Sequence, residues 1–68
     1  MEFEETAQSI GKAIAELRKK KGYSQRKLAS LCDMSYATLA NIEVGKTNPT
    51  IATLNNLLNH IDGEIKVE

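Results

Sequence analysis

Sixty-eight residues at 7.5 kDa make one small domain spanning 1–68, since a chain this short buries only about 60% of its unfolded surface around a single core. Hydrophobic residues at 41% and charged residues at 26%, with one Pro and four Gly, exclude wholesale disorder, while one cysteine (Cys32) and one histidine (His60) exclude an internal disulfide and a four-ligand Cys/His zinc site. Nine basic and nine acidic groups cancel, but unevenly: Glu2, Glu4 and Glu5 make residues 1–10 carry −3, seven basic groups against Glu16 make residues 11–30 carry +6, and residues 31–68 carry −3.

A neutral chain with one strongly positive third can present the basic face that a phosphate backbone requires, although a solvated helix surface has the same composition. The opening M-E-F-E-E-T leads into no apolar run of signal-peptide length, and nothing approaches the roughly 20 apolar residues of a membrane span. A soluble, cytoplasmic protein is expected, without membrane contact. A core of this size yields only about 3 to 5 kcal/mol, so with disulfide and zinc excluded, a second copy of the chain is the expected support.

In chain order, Ile10, Ile14 and Leu17, with Phe3, Ala7 and Ala13 near the same side, predict an amphipathic helix over about 4–21, ended by Gly22. Glu4 and Glu5 in its first turn and Arg18 to Lys21 in its last complement the helix dipole, which alone accounts for the basic run. Ser24 caps a short helix over 25–32 with Leu28, Ala29, Leu31 and Cys32 on its buried side; after a turn at Asp33-Met34, Ser35 caps another over 36–44 that ends at Gly45. In G-K-T-N-P-T, Pro49 disfavours helix at Asn48, and Thr50 caps a fourth helix over 51–61 with the stripe Ile51, Leu54, Leu57, Leu58 and Ile61. The closing E-I-K-V-E alternates like a strand over about 64–68. One strand needs a partner, so Ile65 and Val67, with Ile61, are expected at a dimer contact across a two-fold axis; a frayed tail is the alternative.

Counting from Gln25, apolar or small residues fall at offsets 3 (Leu28), 4 (Ala29), 7 (Cys32), 9 (Met34), 14 (Leu39) and 17 (Ile42). This is a helix-turn-helix pattern: Ala29 must be small because the second helix crosses close above it, and the apolar positions seat that helix on the core. Over about residues 10–61 the chain resembles the lambda-repressor/Cro-like, XRE-type helix-turn-helix family, in I-G-K-A-I-A-E-L-R-K-K-K-G, then S-Q-R-K-L-A-S-L-C-D-M-S-Y-A-T-L-A-N-I-E-V-G-K, then N-P-T-I-A-T-L. It departs at Asp33, where the family usually has Gly in a left-handed turn, a conformation Asp tolerates better than most residues. The implied fold is all-α, a compact four-helix domain with a C-terminal strand.

The resemblance implies roles residue by residue. Tyr36, Ala37 and Asn41 occupy base-facing positions of a helix that lies in the major groove; an Asn can pair bidentately with adenine, and an Ala methyl or Tyr ring can touch a thymine methyl. Thr38 and Gln25 match phosphate-contacting positions, and Ser35, Arg18 and the loop Lys46, Thr47 and Asn48 join them at the backbone. Arg18 and Glu43 match a partly buried ion pair, from which Arg18 can offer its remaining donors to a phosphate.

The expected function is sequence-specific binding of double-stranded DNA by a homodimeric transcriptional regulator, acting as a repressor on a palindromic operator. One alternative is an antitoxin of the HipB type, which the terminal E-I-K-V-E resembles and which would also bind a toxin protein. Another is a protein-interaction module that does not use DNA. Cys32 reads as a small core residue and His60 as a surface residue near a helix end, so no metal, cofactor or enzyme activity is expected.

Overall fold

The structure, a computed structural model, describes residues 3–61. They form four helices: α1 over Phe3–Lys21, α2 over Gln25–Leu31, α3 over Tyr36–Glu43 and α4 over Ile51–Ile61. The strand expected over 64–68 lies outside the described residues, and with it Ile65 and Val67.

The starts of α2, α3 and α4 and the ends of α1, α2 and α3 each have a local reason. The Ser24 hydroxyl accepts from the Lys27 amide at 3.0 Å, Ser35 from Thr38 at 3.0 Å and Thr50 from Thr53 at 3.1 Å, so three helices have a side-chain N-cap. The three C-terminal ends share one motif. At Gly22, Asp33 and Gly45 the backbone turns left-handed, with φ of 83°, 58° and 83°. Each of these residues donates its N–H to the carbonyl three residues back, and the next residue donates to the carbonyl five back: Tyr23 to Arg18 at 3.1 Å, Met34 to Ala29 at 3.0 Å, Lys46 to Asn41 at 2.9 Å. Asp33 is thus the one non-glycine residue in this conformation among those described, at the position where the resemblance placed a glycine.

The core gathers one face from every helix: Ile14 from α1, Leu28, Ala29 and Cys32 from α2 and its cap, Leu39 and Ile42 from α3, and Leu57 and Ile61 from α4. Ala7 is buried too, and Ile10, Leu17, Met34, Leu54 and Leu58 close the edges. Three residues expected on apolar faces are exposed: Ala13, Leu31 and Ile51. At about 100° of rotation per residue, Ala13 falls outside the arc centred on Ile14, and Leu31 lies on the solvent flank of an arc centred on Leu28, Ala29 and Cys32. Ile51 has the right face but the wrong end, since it opens α4 before the helix reaches the core, and it is 78% exposed.

Gly11 sets how closely α1 and α3 approach. A Cβ there would run into the carbonyl oxygens of Ile42 and Glu43, so the end of α3 rests directly on the backbone of α1. The amphipathic pattern of α1 does not reveal this. It draws Arg18, one helix turn past Ile14, up to the last residue of α3.

Candidate nucleic-acid interface

Glu43 ends α3 with a side chain only 4% exposed, and three donors converge on its carboxylate. Arg18 gives Nε to Oε2 at 2.7 Å and Nη2 to Oε1 at 3.1 Å, while Gln25 gives Nε2 to Oε1 at 2.8 Å. A third Arg18 bond, from Nη1 to the Tyr23 carbonyl at 2.8 Å, ties the guanidinium to the α1–α2 turn. This cluster clamps α1, the start of α2 and the end of α3 together. A carboxylate with so little water access needs these charge-assisted bonds, because an ion pair is stable in such a place only when its lone pairs are filled.

The clamp redefines two positions expected at phosphates. Arg18 is buried at 8% exposure with three of its N–H groups already committed, which leaves its two other donors for any outside partner. Gln25 is half-buried, and its amide is turned so that nitrogen faces Glu43. Its second N–H and its carbonyl oxygen are the groups left over. Neither feature has a local sequence signal, since Gln25 and Glu43 stand 18 residues apart.

The opposite side of α3 is open. Tyr36, Ala37, Thr38 and Asn41 are all exposed, as the turn of the helix requires once Leu39 and Ile42 face inward. At its start, the Ser35 hydroxyl caps the helix and also donates to Thr38 Oγ1 at 2.8 Å, so these two hydroxyls hold each other in place. Lys46, Thr47 and Asn48 are exposed in the loop that follows. Beside the open face, Arg26 of α2 lies over the Tyr36 ring with its guanidinium carbon 4.5 Å from the ring centre, a pairing the sequence reading did not find. Lys19, Lys20, Lys21 and Lys27 are exposed as well.

Ile61, expected at a dimer contact, is 2% exposed and belongs to the core of its own chain, because α4 docks its last turn as well as its middle. His60 is half-buried and not a free surface residue: its Nδ1 stands 2.9 Å from the Asn56 carbonyl and 3.4 Å from the Cys32 sulfur. Asn56 in turn donates Nδ2 to the Cys32 carbonyl at 2.8 Å, joining α4 to the end of α2. Burial pushes the Cys32 thiol up from its ordinary value. The described residues contain no group of three His, Cys, Asp or Glu side chains placed to hold a metal ion, no cleft of ligand size, and no helix long and apolar enough to cross a membrane.

A helix-turn-helix family model matches residues 14–66. The chain is 40% identical over 48 residues to the HTH-type transcriptional regulator PuuR of Escherichia coli (strain K12), and equally to the protein of that name from Shigella flexneri. These alignments cover 71% of the chain and 26% of each relative, so the chain spans about a quarter of the length of the regulators it matches.

Proposed function

The chain belongs to the XRE-type helix-turn-helix family of DNA-binding transcription regulators, and from that membership we propose that it binds a roughly palindromic operator as a homodimer and represses transcription there. The observation that carries the reading is the two-sided character of α3: Leu39 and Ile42 anchor it, the Glu43 clamp fixes its end, and Tyr36, Ala37 and Asn41 stand outward with no partner on the inside. An α-helix with its side chains is about 10 to 12 Å across, which fits the roughly 12 Å width of a B-DNA major groove. In this reading Asn41 reads adenine, Ala37 and Tyr36 contact thymine methyl groups, and Thr38, Ser35, Gln25, Lys46, Thr47 and Asn48 reach phosphates. Arg18 acts mainly through Glu43.

The dimensions suit a dimer on one face of the duplex. The subunit measures 31 × 29 × 20 Å, so two copies side by side can hold their α3 helices one helical turn, about 34 Å, apart. The antitoxin reading rests on the terminal strand, outside the described residues, and nothing described here favours it.

Fluorescence anisotropy tests the proposal, using duplex DNA from just upstream of the protein's own reading frame, a scrambled duplex and a salt series. The expected result is preferential binding of the first duplex by two chains, with log K falling linearly against log salt by about 0.9 per phosphate neutralised. Equal, salt-insensitive affinity for both duplexes would sink it and bring the protein-interaction alternative forward.

A further inference from the structure

We propose that Arg26 is a positioning residue for base recognition: by stacking on Tyr36 while its free edge grips a DNA phosphate, it fixes how the Tyr36 ring enters the groove. The inference rests on the reading that α3 lies in the major groove. Three observations carry it. Tyr36 is the first residue of α3, next to the Ser35 cap, and 44% exposed, so nothing in the core holds its ring. Arg26 is the second residue of α2, itself exposed, and places its guanidinium 4.5 Å from the centre of that ring, well inside the range of a cation–π contact. Its side chain makes no hydrogen bond or ion pair among the described residues, in contrast to that of Arg18 with three bonds.

A guanidinium lying over a ring uses one face for the contact and keeps its in-plane N–H fork free for a pair of oxygens. The first helix of this motif crosses the DNA backbone while the second enters the groove. A residue at the start of α2 is therefore placed for a phosphate, and one at the start of α3 for a base edge. The stack couples the two contacts: a sequence-independent anchor on one strand sets the rotamer of the side chain that reads the adjoining base pair. A tyrosine left free in that position would populate several rotamers and discriminate poorly. Lysine would keep the charge but lose the planar stack and the fork.

The test is selection of preferred sites from a randomised duplex pool by the intact chain and by the Arg26→Lys, Arg26→Ala and Tyr36→Leu variants, followed by anisotropy titrations against single-base variants of the selected duplex. Both side chains are exposed, so the melting temperature serves as the control for folding. Expected is that Arg26→Lys retains the salt slope of the intact chain but loses about two- to five-fold discrimination, the size of an exposed cation–π contact, at the same base pairs where Tyr36→Leu loses it. Arg26→Ala is expected to lose that discrimination and, in addition, about 0.9 of salt slope. The combined Arg26→Lys, Tyr36→Leu variant should discriminate no worse than Tyr36→Leu alone. If the intact chain selects a sequence and Arg26→Lys leaves its base preferences unchanged, or alters pairs that Tyr36 does not, the positioning role is overturned while the DNA-binding reading stands. If the intact chain selects no sequence at all, both fall.

Discussion

The two faces of α3 are held to different standards. Inward, Leu39 and Ile42 are 0% and 2% exposed in the common core, where α3 packs against α1 and α2, while Glu43 closes a three-donor clamp. Outward, Tyr36, Ala37 and Asn41 touch solvent, and the contacts there, Arg26 on Tyr36 and Ser35 with Thr38, are themselves exposed. The contrast teaches that eight residues can combine a fixed inner face with an open outer one. The inner face must keep its shape for the domain to exist, whereas the outer face can change its chemistry with little effect on folding.

Breaking the inner face should have the largest effect. Leu39→Ala removes a fully buried side chain at the crossing of α3 over the core and is expected to cost about 3 to 5 kcal/mol, comparable to the whole stability of a domain this size. Circular dichroism should then find most of the chain unfolded at 25 °C, and a cooperative melt near that of the unmodified chain would contradict the picture. Next comes Glu43→Ala, which strands the Arg18 charge at 8% exposure and is expected to cost about 3 kcal/mol in urea unfolding. The combined change Arg18→Met with Glu43→Leu should recover much of that loss, because apolar groups of similar volume need no pairing. A double variant as unstable as Glu43→Ala would mean that the clamp holds the helices by geometry that packing cannot replace.

The outer face sharpens the comparison from the other side. Asn41→Ala is expected to lower affinity for the preferred duplex about tenfold, within the 1 to 3 kcal/mol of a bidentate base contact. The melting temperature should stay the same or rise slightly, since alanine is the better helix former at an exposed site. A fall in stability together with unchanged affinity would reverse the assignment of the faces.

Most of the chain's local design is legible without coordinates. Ser24, Ser35 and Thr50 as caps, Gly22 and Gly45 as left-handed stops, and the apolar spacing from Leu28 to Ile42 act over a few residues of chain, where propensity and periodicity are reliable guides. The Arg18 and Glu43 positions were legible through family resemblance. Gln25 as the third member of that clamp was not, because its bond spans 18 residues and an exposed-looking Gln at a helix start has the same sequence whether it faces a phosphate or a carboxylate. His60 was misplaced for a similar reason: the dipole argument describes its own helix, but the Cys32 sulfur that it meets comes from 28 residues earlier.

The sequence by itself determined where the helices begin and end, which residue types seat α3, and the family that this pattern belongs to, because those properties arise from hydrogen bonds and periodicity within a few turns. Only the tertiary structure decided which faces are finally covered. It left Leu31 and Ile51 outside, took Ile61 into the core of its own chain, turned the Gln25 amide toward Glu43, and set Arg26 on Tyr36. The physical reason is that burial and side-chain pairing depend on the distance between helices, and the approach of α1 to α3 at Gly11 sets that distance through its contact with Ile42 and Glu43, far along the chain.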